Sequence, residues 1–353
     1  MNWQSYSKTP LGQRCLTIAL LLVAAASSRT AVADDLAADA AHRIHINDYV
    51  ERQGFDFPSP AGPADVQADG RILVLSGTTV FRETTPRSRI FVPLGDLPDA
   101  DLNEFGASFL KISPDGGRIV VGNEGGASFD HFQVGVFAIP SLTGTWFDAN
   151  SFQAAWINDR FVALTAGTFG SPSVVTAFDT SSCDPAHPSN RTIIENIGGA
   201  SGGIAFDSHE NLYTGNGFAI SGPSTTGTVK AFRHADWRAA LHGGPPIDFE
   251  AQGTVIVTVL SAASLAFDAG GNLFVGGADF GGGDINFAAF ISRAAVRSAL
   301  DGNGPVNTSD PAQVRKVDPD PAADSAYNII VNRTRDEVYL TSSGPHAFVF
   351  RAR

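Results

Sequence analysis

Ser201-Gly202-Gly203-Ile204-Ala205-Phe206-Asp207-Ser208-His209-Glu210-Asn211-Leu212-Tyr213-Thr214-Gly215-Asn216-Gly217 reads as an apolar strand, a tight polar turn, a second apolar strand and a glycine-rich loop. Ile204 and Phe206, then Leu212 and Thr214, alternate with smaller or polar neighbours, the period-two pattern of strands. Asp207 to Asn211 is turn chemistry between them. The same phrase returns at residues 64–77, 110–123, 154–165, 264–277 and 328–341, which makes six copies. With Asp69, Asp115, Asp159, His209, Ala269 and Arg335 as turn markers, the spacings are 46, 44, 50, 60 and 66 residues. A period of roughly 40–50 residues with two apolar strands per unit is the signature of a propeller. A sandwich has no reason to repeat one turn phrase six times.

Each unit has room for further strands. Third strands are expected at 134–139, 174–178, 228–232 and 287–291, and fourth strands at 89–92, 144–147, 191–194, 255–259 and 313–317. The sixth unit ends with residues 347–350 as its third strand and has no chain left for a fourth. The segment Arg43-Ile44-His45-Ile46 precedes the first unit and has no partner of its own, so it is expected to complete the last blade. Closing the ring in this way removes the open sheet edges. The reading is all-β: a six-bladed β-propeller of four-stranded blades, with an N-terminal strand closing the last one. Residues 231–246 and 289–305 each read as strand, short helix, glycine stop and proline. They predict helical insertions between the third and fourth strands of blades 4 and 5, and Trp237 and Leu241 would share the packed face.

Residues 1–33 read as a secretory signal, with Lys8 and Arg14 as a basic leader, an apolar run from Cys15 to Ala26, and the small-residue site Ala31-Val32-Ala33. The run is shorter than the roughly 20 residues of a membrane span. Residues 34–353 are then one propeller domain. Cys183 would be the one cysteine left after cleavage, so no intramolecular disulfide is expected. The formal charge of −12 becomes −15 once Lys8, Arg14 and Arg29 leave with the leader. An acidic surface repels phosphate backbones and argues against nucleic acid as a partner. Arginine far outnumbers lysine and alanine and glycine abound, which resembles the bias of GC-rich bacterial genomes. The expectation is a secreted or periplasmic bacterial protein, monomeric and free of the membrane after cleavage.

No His-Glu-x-x-His, Cys-x-x-Cys or phosphate-cradling loop is present. Chemistry is therefore sought in the loops between second and third strands, which share the face that usually holds a propeller's ligand funnel. Three are long, polar and glycine-rich: 123–131, 215–224 and 279–286. The candidate ligand-binding residues are Glu104, Asn123, Glu124, Asp130, His131 and Asn216. The candidate metal ligands are Asp279, Asp284 and Asn286, since oxygen ligands from Asp, Asn and backbone carbonyls suit Ca2+ or another divalent cation.

Gly203-Ile204-Ala205-Phe206-Asp207 followed by Asn211-Leu212-Tyr213, and Leu265-Ala266-Phe267-Asp268 followed by Gly271-Asn272-Leu273-Phe274-Val275, resemble the blade repeats of NHL and SMP-30/gluconolactonase-like six-bladed propellers. Ile112-Ser113-Pro114-Asp115-Gly116 is similar to the repeat of YncE-like surface propellers. The lactonase resemblance implies a divalent metal at the ring centre, held by a Glu and an Asn/Asp set. Here Gly202, and then Ala263 and Ser264, stand where that group places Asn, and Pro63-Ala64-Asp65 opens the first unit without the glutamate. The first expectation is thus a scaffold that binds a small-molecule or protein partner on its loop face. The alternative is a metal-dependent hydrolase of lactonase type using Glu104, Glu124, Asp279 or Asp284, which would need those carboxylates clustered around one cation. A purely structural exoprotein is a third reading.

Overall fold

The six repeats fold into six antiparallel four-stranded blades, built from strands consecutive in the chain except at the seam and at a short insertion strand of blade 4, which joins the sheet of blade 3 in parallel. The computed structural model describes residues 44–59, 62–98, 100, 102, 106–123, 132–166, 172–198, 200–218, 227–259, 261–277, 287–320, 327–342 and 344–353. All of these fall within one unit, Arg43–Arg353. In every blade the repeated phrase supplies the first two strands: Ala64–Val66 and Ile72–Ser76, Ala107–Ile112 and Arg118–Asn123, Gln153–Trp156 and Phe161–Ala166, Ala200–Phe206 and Leu212–Phe218, Ser264–Phe267 and Leu273–Gly277, and Asn328–Asn332 and Glu337–Thr341. Third and fourth strands follow at the expected places within a few residues. The first blade's third strand, Thr79–Glu83, carries no clear apolar run and was not expected.

The closing strand is a correction. The last blade is completed by Val50–Asp56, paired with His346–Arg351, and not by residues 43–46. Ile46–Asp48 instead forms a turn of 3-10 helix. Outermost strands leave one face in water, so Val50-Glu51-Arg52-Gln53-Gly54-Phe55-Asp56 needs no apolar alternation and gives a weak signal. Ile46 and Tyr49, which look like strand residues, are buried against Phe274 and Phe290 of blade 5. The N-terminal segment therefore engages blade 5 through the side chains of Ile46 and Tyr49 and through backbone carbonyls, and blade 6 through strand pairing.

The core lies between blades. Tyr213 and Val257 of blade 4 pack with Leu265 and Val275 of blade 5, for instance. Fully burying such a side chain stabilises by about 1.5–3 kcal/mol. Where blades approach most closely only glycine fits: a Cβ on Gly276 would lie 1.9 Å from the Tyr327 carbonyl oxygen. The predicted insertions are helices, His234–Leu241 in blade 4 and Arg293–Leu300 in blade 5. Ser292 caps the second by accepting from the Ala295 amide. Trp237 is buried beside a half-buried Leu241 and donates from its indole to the Glu210 carbonyl at 2.8 Å. Between the blade 4 helix and its fourth strand, Ile247–Asp248 pairs in parallel with the outer strand of blade 3 and clips the two blades together.

Candidate functional site

Innermost strands of all six blades surround a cavity of about 420 Å³. It lies at the end where these strands run into their turns, since Gln67, Asp207 and Thr334 line it together with mid-strand residues. Ladder register makes six positions equivalent: Asp65, Lys111, Ala155, Ala205, Ala266 and Ile330 pair with Leu73, Val120, Ala163, Tyr213, Phe274 and Tyr339. All six line the cavity. Blades 3 to 6 thus present small or apolar groups, and blades 1 and 2 present opposite charges. The three alanines leave the space that larger side chains would fill.

The Asp65 carboxylate accepts from the Val66 amide at 2.9 Å and from the Ile112 amide of the next blade at 2.8 Å. Burial pushes its pKa up, and Lys111, these two amides and Arg333 pull it back. Asp207 accepts four hydrogen bonds, from the His209 and Asn211 amides, the Asn211 side chain and the Tyr213 hydroxyl, at 2.9–3.0 Å. The cations are less engaged. Arg333 donates from Nε to the Phe267 carbonyl at 3.0 Å, and its terminal nitrogens have no partner among the described residues. Its surface is exposed at the cavity mouth, yet the surrounding walls remove enough water to lower its pKa, against the pull of Asp65 and Asp268. The Lys111 ammonium likewise meets no acceptor among the described residues. Gln67 Oε1 is buried without a hydrogen-bond partner. Trp156 closes one wall, its indole donating to the Lys111 carbonyl at 3.1 Å. The cavity thus combines satisfied carboxylates, unfilled cationic donors and one unfilled acceptor.

These residues differ from those chosen on sequence. Glu104, Glu124, Asp130, His131, Asp279, Asp284 and Asn286 lie outside the described residues. Asn123 ends the second strand of blade 2, opposite Ala107 and Gln133. Asn216 is spent on backbone: its Nδ2 donates to the Gly198 carbonyl and its Oδ1 accepts from the Thr228 amide at 3.3 Å. Among the described residues no three His, Cys, Asp or Glu side chains gather as a metal site. Among them, too, no helix is long and apolar enough to cross a membrane. Cys183 is an exposed free thiol in the blade 3 turn. Asp65, Lys111 and Arg333 had been read only as parts of the repeat. For Asp65 and Lys111 the signal was the exception to it, a charge in the middle of a strand whose other copies carry Ala or Ile, whereas Arg333 follows its strand in a turn.

No family model matches the chain, and no curated protein does. Solved structures match by fold. The PQQ-bound aldose sugar dehydrogenase of Streptomyces coelicolor is 13% identical, with a TM-score of 0.54 over 86% of this chain and 97% of that one. The holo PQQ domain of pyranose dehydrogenase from Coprinopsis cinerea is 11% identical, with a TM-score of 0.55 over 84% and 94%. At such identities the likeness is one of fold, and the fold is the six-bladed β-propeller that the repeats predicted.

Proposed function

We propose that this chain is an exported binding propeller whose ligand is a small molecule held on the ring axis. One observation carries the reading. The axial cavity holds the Lys111 ammonium and the terminal nitrogens of Arg333, which meet no acceptor among the described residues, while the carboxylates of Asp65 and Asp207 are satisfied by protein donors. Unfilled charged donors in a confined cavity are incompletely hydrated, and a ligand that meets them gains charge-assisted hydrogen bonds of about 1.5–3 kcal/mol each. Export rests on the leader-like residues 1–33.

A redox cofactor of the kind named for both structural neighbours needs groups that hold it and a base that takes a proton as the substrate is oxidised. Among the described residues no histidine lines the cavity, Asp207 accepts from four donors, and both Asp65 oxygens accept backbone amides. The cavity residues do not fit that role, and no oxidation step is derived from them. The hydrolase reading depends on Glu104, Glu124, Asp279 and Asp284, and nothing in the described geometry favours it over binding.

The test is native mass spectrometry of the protein purified from its exported fraction, followed by melting curves against a library of small polar metabolites. A bound small molecule, or a compound that raises Tm in the parent and not in a Lys111→Gln/Arg333→Gln variant, is expected. If no compound is retained and none raises Tm, the axial-ligand reading fails.

A further inference from the structure

Resting on the axial-ligand reading, we propose that the ligand is a monocarboxylate with an apolar body and a hydrogen-bond donor near its charged end. The carboxylate sits between Lys111 and Arg333, the donor meets Gln67 Oε1, and the body lies along the wall made by blades 3 to 6. The charge pattern selects this class. Arg333 keeps its terminal nitrogens for a ligand because Nε is taken by the Phe267 carbonyl. A planar guanidinium edge matches a carboxylate in two parallel hydrogen bonds. Lys111 adds a second, point-like cation. Asp65 and Asp207 line the same cavity, so a dianion would face two fixed negative charges at short range. A cationic ligand would be repelled by Lys111 and Arg333 and would find the oxygens of Asp65 and Asp207 already accepting protein donors.

At the mid-strand positions blades 3 to 6 present no charge: Ala155, Ala205, Ala266 and Ile330 line the cavity there, with Trp156 beside them. Apolar groups gain about 25 cal/mol per Å² on leaving water for such a surface. The unpaired Gln67 oxygen is the one acceptor the protein leaves buried and unmet among the cavity residues. A ligand hydroxyl would remove the cost of that orphan. The chain's net charge of −12 repels anions at long range, so selective uptake of a carboxylate needs local cations of this kind.

The experiment uses 3-phenyllactate, which carries all three features, against its neutral amide and against 3-phenylpropanoate, which lacks the hydroxyl. Binding to the full exported chain is read by calorimetry and by quenching of tryptophan emission. The acid is expected to bind at least tenfold tighter than the amide, with Lys111→Gln and Arg333→Gln each costing at least tenfold. Gln67→Leu is expected to weaken 3-phenyllactate and leave 3-phenylpropanoate unchanged. Trp156→Phe should remove most of the quench and retain the calorimetric signal, which places the ligand in the cavity. Ala266→Leu, which keeps both cations and narrows the apolar wall, should weaken both acids. An amide that binds as tightly as the acid, or affinity that survives loss of Lys111 and Arg333, overturns the proposed class and leaves an axial ligand of another kind. Failure of all three probes together with an empty, unshifted result in the metabolite screen overturns both.

Discussion

Blades 4 and 5 solve the same problem with different parts of the chain. In blade 4 the turn carboxylate of Asp207 is held by Asn211 and by the hydroxyl of Tyr213, two residues further on. In blade 5 the same turn carries Asp268 and Asn272, but Phe274 stands in the place of the tyrosine. The missing hydroxyl comes from Tyr49, which is 219 residues away and reaches Asp268 at 2.8 Å. The Tyr49 ring meets Phe274 edge-on at 5.4 Å. Asn272 also donates to the Ile44 carbonyl at 2.9 Å, and Arg315 donates to the Tyr49 carbonyl. A local contact in one repeat has become the seam of the ring in the next. In both blades the Asn side chain accepts from the first residues of the inserted helix, His234 at 3.2 Å and Arg293 at 3.0 Å. The turn motif therefore positions inner strand, helix and, in blade 5, the N-terminal segment together.

The largest test of the comparison is removal of each carboxylate. Asp268 is only 5% exposed, and its loss would leave the Tyr49 hydroxyl and the Asn272 amide buried without an acceptor. Asp268→Ala is expected to cost about 3 kcal/mol, since each orphaned buried group costs about 1–3 kcal/mol. Asp207 is half-buried and water can replace it in part, so Asp207→Ala should cost about half as much. Chemical denaturation of the two variants checks the order, and equal losses would show that the seam contributes nothing special.

A smaller effect follows from exchanging the hydroxyls. Tyr49→Phe is expected to cost about 1.5 kcal/mol, the low end of the range for a hydrogen bond to a charged acceptor. Phe274→Tyr should itself be destabilising, because the new hydroxyl meets a site already filled by Tyr49. In the Tyr49→Phe background the same change should be less harmful, as the tyrosine regains the arrangement of blade 4. The double-mutant cycle on denaturation free energies measures this coupling. Additivity of the two changes would argue that the blades do not share the motif.

Alkaline pH reads the same contacts without mutation. Burial pushes the phenols of Tyr49, Tyr213, Tyr327 and Tyr339 above their ordinary value of 10.0, and the neighbouring carboxylates Asp268, Asp207, Asp318 and Glu337 add to it. The folded chain then holds these protons more tightly than the unfolded chain. Their contribution is complete below pH 10 and is lost as pH rises above it. Phenolate absorbance should appear only as the protein unfolds, and Tyr49→Phe should make the alkaline loss of stability less steep. Asp268 has the same sign in the acid range. Burial raises it above 3.8, so the stability it contributes at low pH is lost as pH rises through its folded value.

The smallest expected effect is in blade 3, where a mostly exposed Arg160 in the turn pairs with Asp179 at the end of the third strand at 2.6 Å. Arg160 and its hydrogen bonds hold the Asp179 carboxyl down at about 2. That contribution is present above the ordinary value of 3.8 and is lost as pH falls toward 2. Arg160 is 62% exposed, so Arg160→Met should lower stability only slightly at neutral pH, and that loss should vanish as pH falls toward 2 and Asp179 is protonated with or without the arginine. A large loss at pH 7 would place blade 3 with blades 4 and 5 rather than apart from them.

The repeats were legible because period-two apolar strands and a polar turn are local patterns, and six copies reinforce one another. Ile204-Ala205-Phe206 and Leu265-Ala266-Phe267 announce inner strands in any context. The helices were legible from their glycine and proline stops. The closing strand was not, since Val50–Asp56 is an outer strand with one wet face and no alternation to read. The axial residues were only partly legible. Asp65 and Lys111 break the apolar pattern of their strands, but nothing along the chain tells how far apart they end up. Arg333 sits in a turn, where charge is ordinary. The sequence alone determined the number of blades, the strands within them and the helical insertions, because neighbours in the chain make those contacts. Tertiary structure alone decided that Tyr49 completes the Asp268 turn and that Asp65, Lys111 and Arg333 share one cavity. Those meetings depend on ring closure, which brings residues from opposite ends of the chain to one axis.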